Sequence, residues 1–286
     1  MDNVIDGKKI SEEIRSELKQ SIKYEMLKPS IAVIQVGDNE ASNTYVKMKE
    51  KACDEVGIYF RHFKFEEGES ELSIINKIKE LNNDEYVNGV IIQLPLPDGY
   101  NEKRLVNTII NSKDVDGLTD INTGRLVSGR KTLVPCTAAA VIELLKRSNV
   151  EISGKHVVLV GRGKLTCRPL IQLFLNEDAT VTVCHSKTKD LENFTKTADI
   201  LVTAVGINNI ITSDMVKDGA VVIDVGINYE TGKISGDVDF DNVVNKASLI
   251  TKTPGGVGPM TVTMLLKNTV YCYLNRKKWN FQIHLK

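Results

Sequence analysis

The chain predicts an α/β protein of two α/β domains, the second a Rossmann-like doubly wound parallel sheet. Three observations carry this. Short β-branched apolar runs alternate with helical patterns along all 286 residues. The runs are nearly continuous rather than alternating, as strands covered on both faces are. One run leads directly into a glycine turn and a helix, the sequence form of a dinucleotide-binding unit.

The runs are IAVIQV (31–36), IYFRHF (58–63), VIIQL (90–94), HVVLV (156–160), TVTVC (180–184), ILVTAV (200–205) and AVVIDV (220–225). Before them lies a first helix. Ser11 is its expected N-cap, with Glu12 and Glu13 in the dipole-favoured first turn, and Ile14, Leu18, Ile22 and Met26 form a buried stripe. A second helix is expected over 43–56, ending at Gly57 in a left-handed cap. The segment from Asp114 to Thr137 has no clear strand and is rich in Gly, Thr and Asn, so the domain boundary is placed there. Further helices are expected near 138–147 and 260–275, followed by a solvated basic tail with no assigned function. The expected division is therefore residues 1–137, completed by the C-terminal helix 260–286, and residues 138–259.

Lys plus Arg and Asp plus Glu both number 37, so the chain lacks the positive field that nucleic acids and anionic membranes attract. No apolar run approaches a membrane span, and the charged start lacks a signal peptide's apolar stretch. Five scattered cysteines without a CxxC pair point to reduced thiols in the cytoplasm. Four histidines (His62, His156, His185, His284) stand in no metal-binding spacing, so no metal is expected.

After the strand HVVLV, Gly161 and Gly163 open a GxGxxG-like turn that lets the backbone approach a pyrophosphate at a helix N-terminus. Thr166 and Cys167 stand where a third small residue is usual. The next strand ends in HSKT, with Ser186 and Lys187 and no acid until Asp190. A serine there, with Arg162 in the turn, suits a ribose 2′-phosphate, so NADP is expected over NAD. GRLVSGRKT (124–132) nearly matches the P-loop GxxxxGK(S/T), but its lysine is displaced by one and no strand precedes it; ATP binding is rejected.

Three further features stand out. Lys49 shares the apolar helix face of Tyr45, Met48, Ala52 and Val56; in a dry cleft its amine would exchange protons near neutrality, whereas a snorkelling lysine would not. Gln93 is the polar residue at the carboxyl end of VIIQLPLP, where open α/β sheets bind ligands, and Pro95 and Pro97 stiffen the loop after it. KDVDG supplies Asp114 and Asp116, by composition an ordinary turn, and TPGGVGPMT (253–261) is a compact loop able to approach a flat ligand or simply to connect a strand to the last helix.

In this order, TYVKMK (44–49), IIQLPLP (91–97), KDVDG (113–117), VLVGRG (158–163), CHSKT (184–188), VIDVGIN (222–228), GDVDF (236–240) and PGGVGPMTVTML (254–265) closely resemble the bifunctional methylenetetrahydrofolate dehydrogenase/methenyltetrahydrofolate cyclohydrolase family over about residues 3 to 270. The resemblance implies a first domain for tetrahydrofolate and a second for NADP, with one cleft in which methylenetetrahydrofolate is oxidised and the methenyl product hydrolysed to 10-formyltetrahydrofolate for one-carbon metabolism and purine biosynthesis. It implies Lys49 as the catalytic lysine, Tyr45 along the folate, and Gln93 and Asp116 as catalytic and substrate-binding partners. NADP contacts fall on Gly161, Arg162, Gly163, Ser186 and Ile227, and the folate ring loop on Pro254, Gly255 and Gly256. A homodimer is implied as well. The chain departs from the family's usual GRSxxVGxP (here GRGKLTCRP), PCTP (here PCTA) and TPVPGG (here TKTPGG), mostly on the cofactor side. The nearest alternative is accordingly a monofunctional cyclohydrolase with a weakened dinucleotide site. Motif physics alone also admits a dehydrogenase of a shikimate-like acid, or a folate- or nucleotide-binding regulator.

Overall fold

The computed structural model describes residues 3–230 and 233–283, with side chains described outside 229–233 and 276–283. In chain order the elements are β1 (Val4–Ile5), α1 (Gly7–Ser21), β2 (Ser30–Val36), α2 (Glu40–Val56), β3 (Tyr59–Phe65), α3 (Glu71–Asn83), β4 (Gly89–Ile92), α4 (Glu102–Thr108), α5 (Asp120–Val127), α6 (Cys136–Arg147), β5 (His156–Val160), α7 (Cys167–Asn176), β6 (Thr180–Cys184), α8 (Leu191–Thr195), β7 (Ile200–Thr203), β8 (Val221–Asp224), β9 (Asn228–Glu230), β10 (Lys233–Ser235), α9 (Phe240–Val243), β11 (Leu249–Thr251) and α10 (Val257–Ile283). They form two compact units, one of Met1–Glu12 with Pro135–Thr261, the other of Glu13–Val134 with Val262–Lys286. Among the described residues no helix is long and apolar enough to cross a membrane.

The first unit is built on a six-stranded, all-parallel sheet in the order β1-β11-β8-β7-β5-β6. The chain runs outward from β5 to β6, then returns to the other side of β5 for β7 and β8. That reversal makes a switch point at the carboxyl ends of β5 and β7, where doubly wound sheets bind ligands. Val158, Val160, Leu201, Val222 and Ile250 fill its core. β1 lies in a segment the sequence assigns to the first domain, yet it joins this sheet: Val4 and Ile5 pair with Ile250 and Thr251. Asn3 secures the junction by donating to Val244 O and Ala247 O. β9 and β10 form a separate antiparallel hairpin.

The second unit holds a three-stranded parallel sheet, β3-β2-β4. Every residue of β2 is buried, as its β-branched run requires. β3 behaves differently from its neighbours. It is an edge strand with alternating exposure, and its Arg61, His62 and Lys64 discourage further pairing.

Local signals hold with adjustments. Gly57 caps α2 in the left-handed region at φ 92°, its N–H donating to Cys53 O. α2 starts at Glu40, earlier than expected, because the Asn39 side chain accepts from Ser42 N. Ser11 does not cap α1; the helix begins at Gly7, and Ser11 is buried inside it, donating to Lys8 O. Met26 lies past the end of α1 and is 98% exposed, so the buried stripe stops at Ile22. α10 runs on to Ile283, so the backbone of the expected tail is largely helical. The tail's side chains, and His284 with them, lie outside the described residues.

Candidate active site

In the second unit, α2 and the end of β4 bring Lys49 and Gln93 together: Lys49 Nζ donates to Gln93 Oε1 at 2.6 Å. The face of α2 is not quite the one expected. Met48 is exposed, and the buried side is Ser42, Val46, Ala52, Cys53 and Val56. Lys49 lies one turn from both Val46 and Cys53 and is half-buried beside them. Gln93 is buried, and its backbone N–H donates to Ile34 O, which extends the sheet register one residue past β4. Its side-chain Nε2 donates to Leu94 O at 2.7 Å. That bond fixes the amide's orientation, so its oxygen faces the lysine. The Leu94–Pro95 peptide is cis. Tyr45, half-buried, stands one turn before Lys49.

The two aspartates of KDVDG separate into different surroundings. Asp114 is 1% exposed and accepts three hydrogen bonds, from Leu118 N, Thr119 N and Asn122 Nδ2. It organises the start of α5. Lys113, also buried, donates to Leu81 O, Asn82 O and Asp84 O, closing the end of α3. Asp116 is half-buried on the turn closed by Gly117 N donating to Asp114 O. A parallel bridge between Val90 and Asp114 seats this loop alongside β4, running in the direction of Gln93. Close approach of the loop depends on Gly89, where a Cβ would lie 2.6 Å from Val115 Cγ1.

A polar cluster that the sequence reading passed over lies at the end of β2. Gln35 is 1% exposed, its Nε2 donates to Asn43 Oδ1 (2.7 Å) and Gly37 O (3.3 Å), and His62 Nε2 donates to its Oε1 (3.0 Å). The signal that singled out Gln93, one polar residue at the carboxyl end of a buried run, also marks Gln35 within IAVIQV.

In the first unit, Gly161 ends β5 with its N–H donating to Cys184 O and φ at +133°. A Cβ there would lie 2.7 Å from both Ala204 O and Cys167 Sγ, so glycine is required. Gly163 opens onto free space, with no heavy atom within 4 Å of where a Cβ would stand. Cys167 is 1% exposed and begins α7, its sulfur packing against the glycine turn where a smaller residue was expected; burial raises its thiol pKa. Thr166, the N-cap, makes no side-chain capping bond. Arg162 and Ser186 are both exposed at the carboxyl ends of β5 and β6, and Ile227 is 39% exposed just past β8. An open glycine turn, a helix N-terminus without a side-chain cap and exposed Arg and Ser side chains fit a phosphorylated dinucleotide.

Pro254, Gly255 and Gly256 belong to this same unit, between β11 and α10. Gly255 O accepts from Lys8 N at 3.1 Å, and Gly7 leaves no room for a Cβ against Gly256 O. The loop is thereby clamped to the start of α1, a support that no sequence motif announced.

A doubly wound sheet with an open glycine turn, in a chain whose other parallel sheet presents a lysine–glutamine pair, defines the class of two-unit dinucleotide-dependent α/β enzymes. Residues 5–116 match the family described as tetrahydrofolate dehydrogenase/cyclohydrolase, catalytic domain, and residues 135–277 match its NAD(P)-binding domain. The chain is 50% identical over 271 residues to the bifunctional protein FolD of Bacillus anthracis, covering 93% of this chain and 95% of that protein. Its fold matches the bifunctional methylenetetrahydrofolate dehydrogenase/cyclohydrolase FolD of Campylobacter jejuni with a TM-score of 0.93 and 47% identity, over 96% of this chain and 99% of that one. The Trypanosoma brucei methylenetetrahydrofolate dehydrogenase-cyclohydrolase, solved with NADP cofactor and inhibitor, matches with a TM-score of 0.89 and 38% identity over 96% and 97% of the two chains. The chain belongs to the tetrahydrofolate dehydrogenase/cyclohydrolase family.

Proposed function

We propose that this chain carries both activities of its family: NADP-dependent oxidation of 5,10-methylenetetrahydrofolate to the methenyl form, and hydrolysis of that product to 10-formyltetrahydrofolate. The observation that carries the reading is the Lys49–Gln93 hydrogen bond at the carboxyl end of a parallel sheet. Gln93 accepts one N–H of the lysine amine. In the neutral amine the lone pair then points away from Gln93 and could take a proton from a water attacking the methenyl carbon. Tyr45 offers an aromatic face for the folate, and Asp116 a carboxylate for the amino-pyrimidine edge of the pterin. Pro254, Gly255 and Gly256 supply a flat backbone surface for the ring system.

Gly161 and Gly163 let the turn approach the pyrophosphate of NADP, Arg162 and Ser186 hold its 2′-phosphate, and Ile227 gives an apolar contact. When bound, NADP would supply the acceptor for the hydride that leaves the methylene carbon. The departure at Gly163 leaves that side of the turn open, which supports the two-activity reading over a cyclohydrolase with a degraded cofactor site. The product suits one-carbon metabolism, purine synthesis included. Five free cysteines support a reducing, cytoplasmic setting, and we assign a homodimer, to be read by sizing chromatography.

The test is a pair of assays on wild type and Lys49→Met, one following methylenetetrahydrofolate oxidation with NADP or NAD, the other methenyl hydrolysis. Wild type is expected to perform both, with NADP preferred. Lys49→Met is expected to lose hydrolysis by about 10²- to 10⁴-fold, the usual worth of a positioned acid–base group. Hydrolysis without any NADP-dependent oxidation in wild type would overturn the dehydrogenase half.

A further inference from the structure

Two carboxylates outside the site described above lie buried in the first unit. Asp237 is 0% exposed and Asp224 is 3% exposed. Among the described residues neither is paired with a cation; each instead gathers backbone N–H groups from loops. Asp237 Oδ2 accepts from Thr203 Oγ1 (2.9 Å) and Val205 N (2.8 Å), and its Oδ1 accepts from Ile207 N (2.9 Å). Asp224 Oδ1 accepts from Gly226 N and Asp237 N, both at 3.0 Å, and its Oδ2 from Val238 N at 3.1 Å. Gly226 and Gly236 leave no room for a Cβ against these carboxylates. The loops so held, 204–207 and 225–228, follow β7 and β8.

A dinucleotide laid across the switch point has its pyrophosphate at the Gly161 turn and its adenosine ribose by Ser186 at the end of β6. Its nicotinamide half must then extend the other way, over the ends of β7 and β8. We propose that Asp224 and Asp237 are positioning residues for NADP, holding the backbone of loops 204–207 and 225–228 in the shape that receives the nicotinamide half; this rests on the NADP reading above. The strands do not need them for pairing, because β7 and β8 are joined by their own ladder from Ile200–Val221 to Thr203–Asp224. Past Ala204 and Val225, whose N–H groups still bond Val160 O and Thr203 O, and before Asn228 enters β9, Val205, Ile207 and Gly226 have the two carboxylates as their partners. A second link runs to the folate loop: Asp224 N donates to Thr251 Oγ1 (2.8 Å) and Thr253 Oγ1 donates to Asp224 O (3.5 Å), just before Pro254.

The experiment compares Asp237→Asn with wild type by calorimetric titration with NADP, alongside methenyl hydrolysis, which uses Lys49 and Gln93 in the other unit. An asparagine keeps the volume but turns an NH₂ toward a backbone N–H, so the NADP dissociation constant is expected to rise about tenfold or more. Hydrolysis should stay within about twofold, a separation that general unfolding would not produce. If Asp237→Asn does not fold, Thr203→Val removes a single bond to the same carboxylate and is expected to raise the constant about threefold. NADP affinity unchanged in the folded variant, or hydrolysis falling in step with it, would overturn the inference alone. A wild type that does not bind NADP would overturn the NADP reading and the inference with it.

Discussion

Two aspartates two residues apart show how little a residue's identity says about its work. Asp114 is spent on three donors in the protein interior, and Asp116 stands half-buried at the surface of the same turn. Replacing Asp114 by Ala strands the N–H groups at the start of α5 and is expected to lower stability by about 3 kcal/mol, read in a denaturant melt. Asp116→Ala should lower that melt by less than Asp114→Ala does and raise the KM for the folate about tenfold or more, the worth of a charge-assisted hydrogen bond. Equal effects of the two on stability would refute this division. The sequence identified KDVDG as a motif but had no means of saying which carboxylate faces inward, because alternation along so short a turn has no period to read.

At the scale of elements, the site is held by close approaches that only small residues permit. The loop 113–117 lies against β4 because Gly89 has no side chain to meet Val115. Gly89→Ala is expected to cost about 1–3 kcal/mol through overpacking and to raise the folate KM by displacing Asp116. Kinetics and a melt on the same preparation check both; an alanine variant with wild-type values in each would show that the loop has slack. α2 was legible from Gly57 and its apolar spacing, and so was the placement of Lys49 on it. The inward stripe differs at Met48, which is exposed. A 3.6-residue period fixes which residues share a face, while the neighbouring strands fix which side of that face is covered.

Across the whole molecule, the buried Asp224 carboxyl couples folding to pH. Burial is the largest influence and raises its pKa from 3.8 to about 6, with the neighbouring Asp237 carboxylate acting in the same direction against three backbone N–H donors. Because the folded protein binds this proton more tightly than the unfolded chain, the contribution favours folding at low pH. It is complete below 3.8 and is lost as pH rises through about 6, amounting to at most about 3 kcal/mol. Wild type is therefore expected to gain stability from this group between neutral pH and pH 5, and Asp224→Asn to lack that gain. Melting curves recorded across the range check the difference in slope; parallel curves for the two proteins would refute it.

The α/β class, the parallel sheets, the glycine turn and, through the order of the motifs, the family are legible in the residues alone. Each rests on a period, a local turn requirement or a motif that neighbouring residues write directly. That β1 joins β11, that Asp114 and Asp116 part company, and that Asp224 and Asp237 gather two loops around themselves emerge from packing. Those outcomes depend on contacts between segments such as Thr203 and Asp237, 34 residues apart. Burial and hydrogen-bond partners at that separation are properties of the packed chain, and no local pattern encodes them.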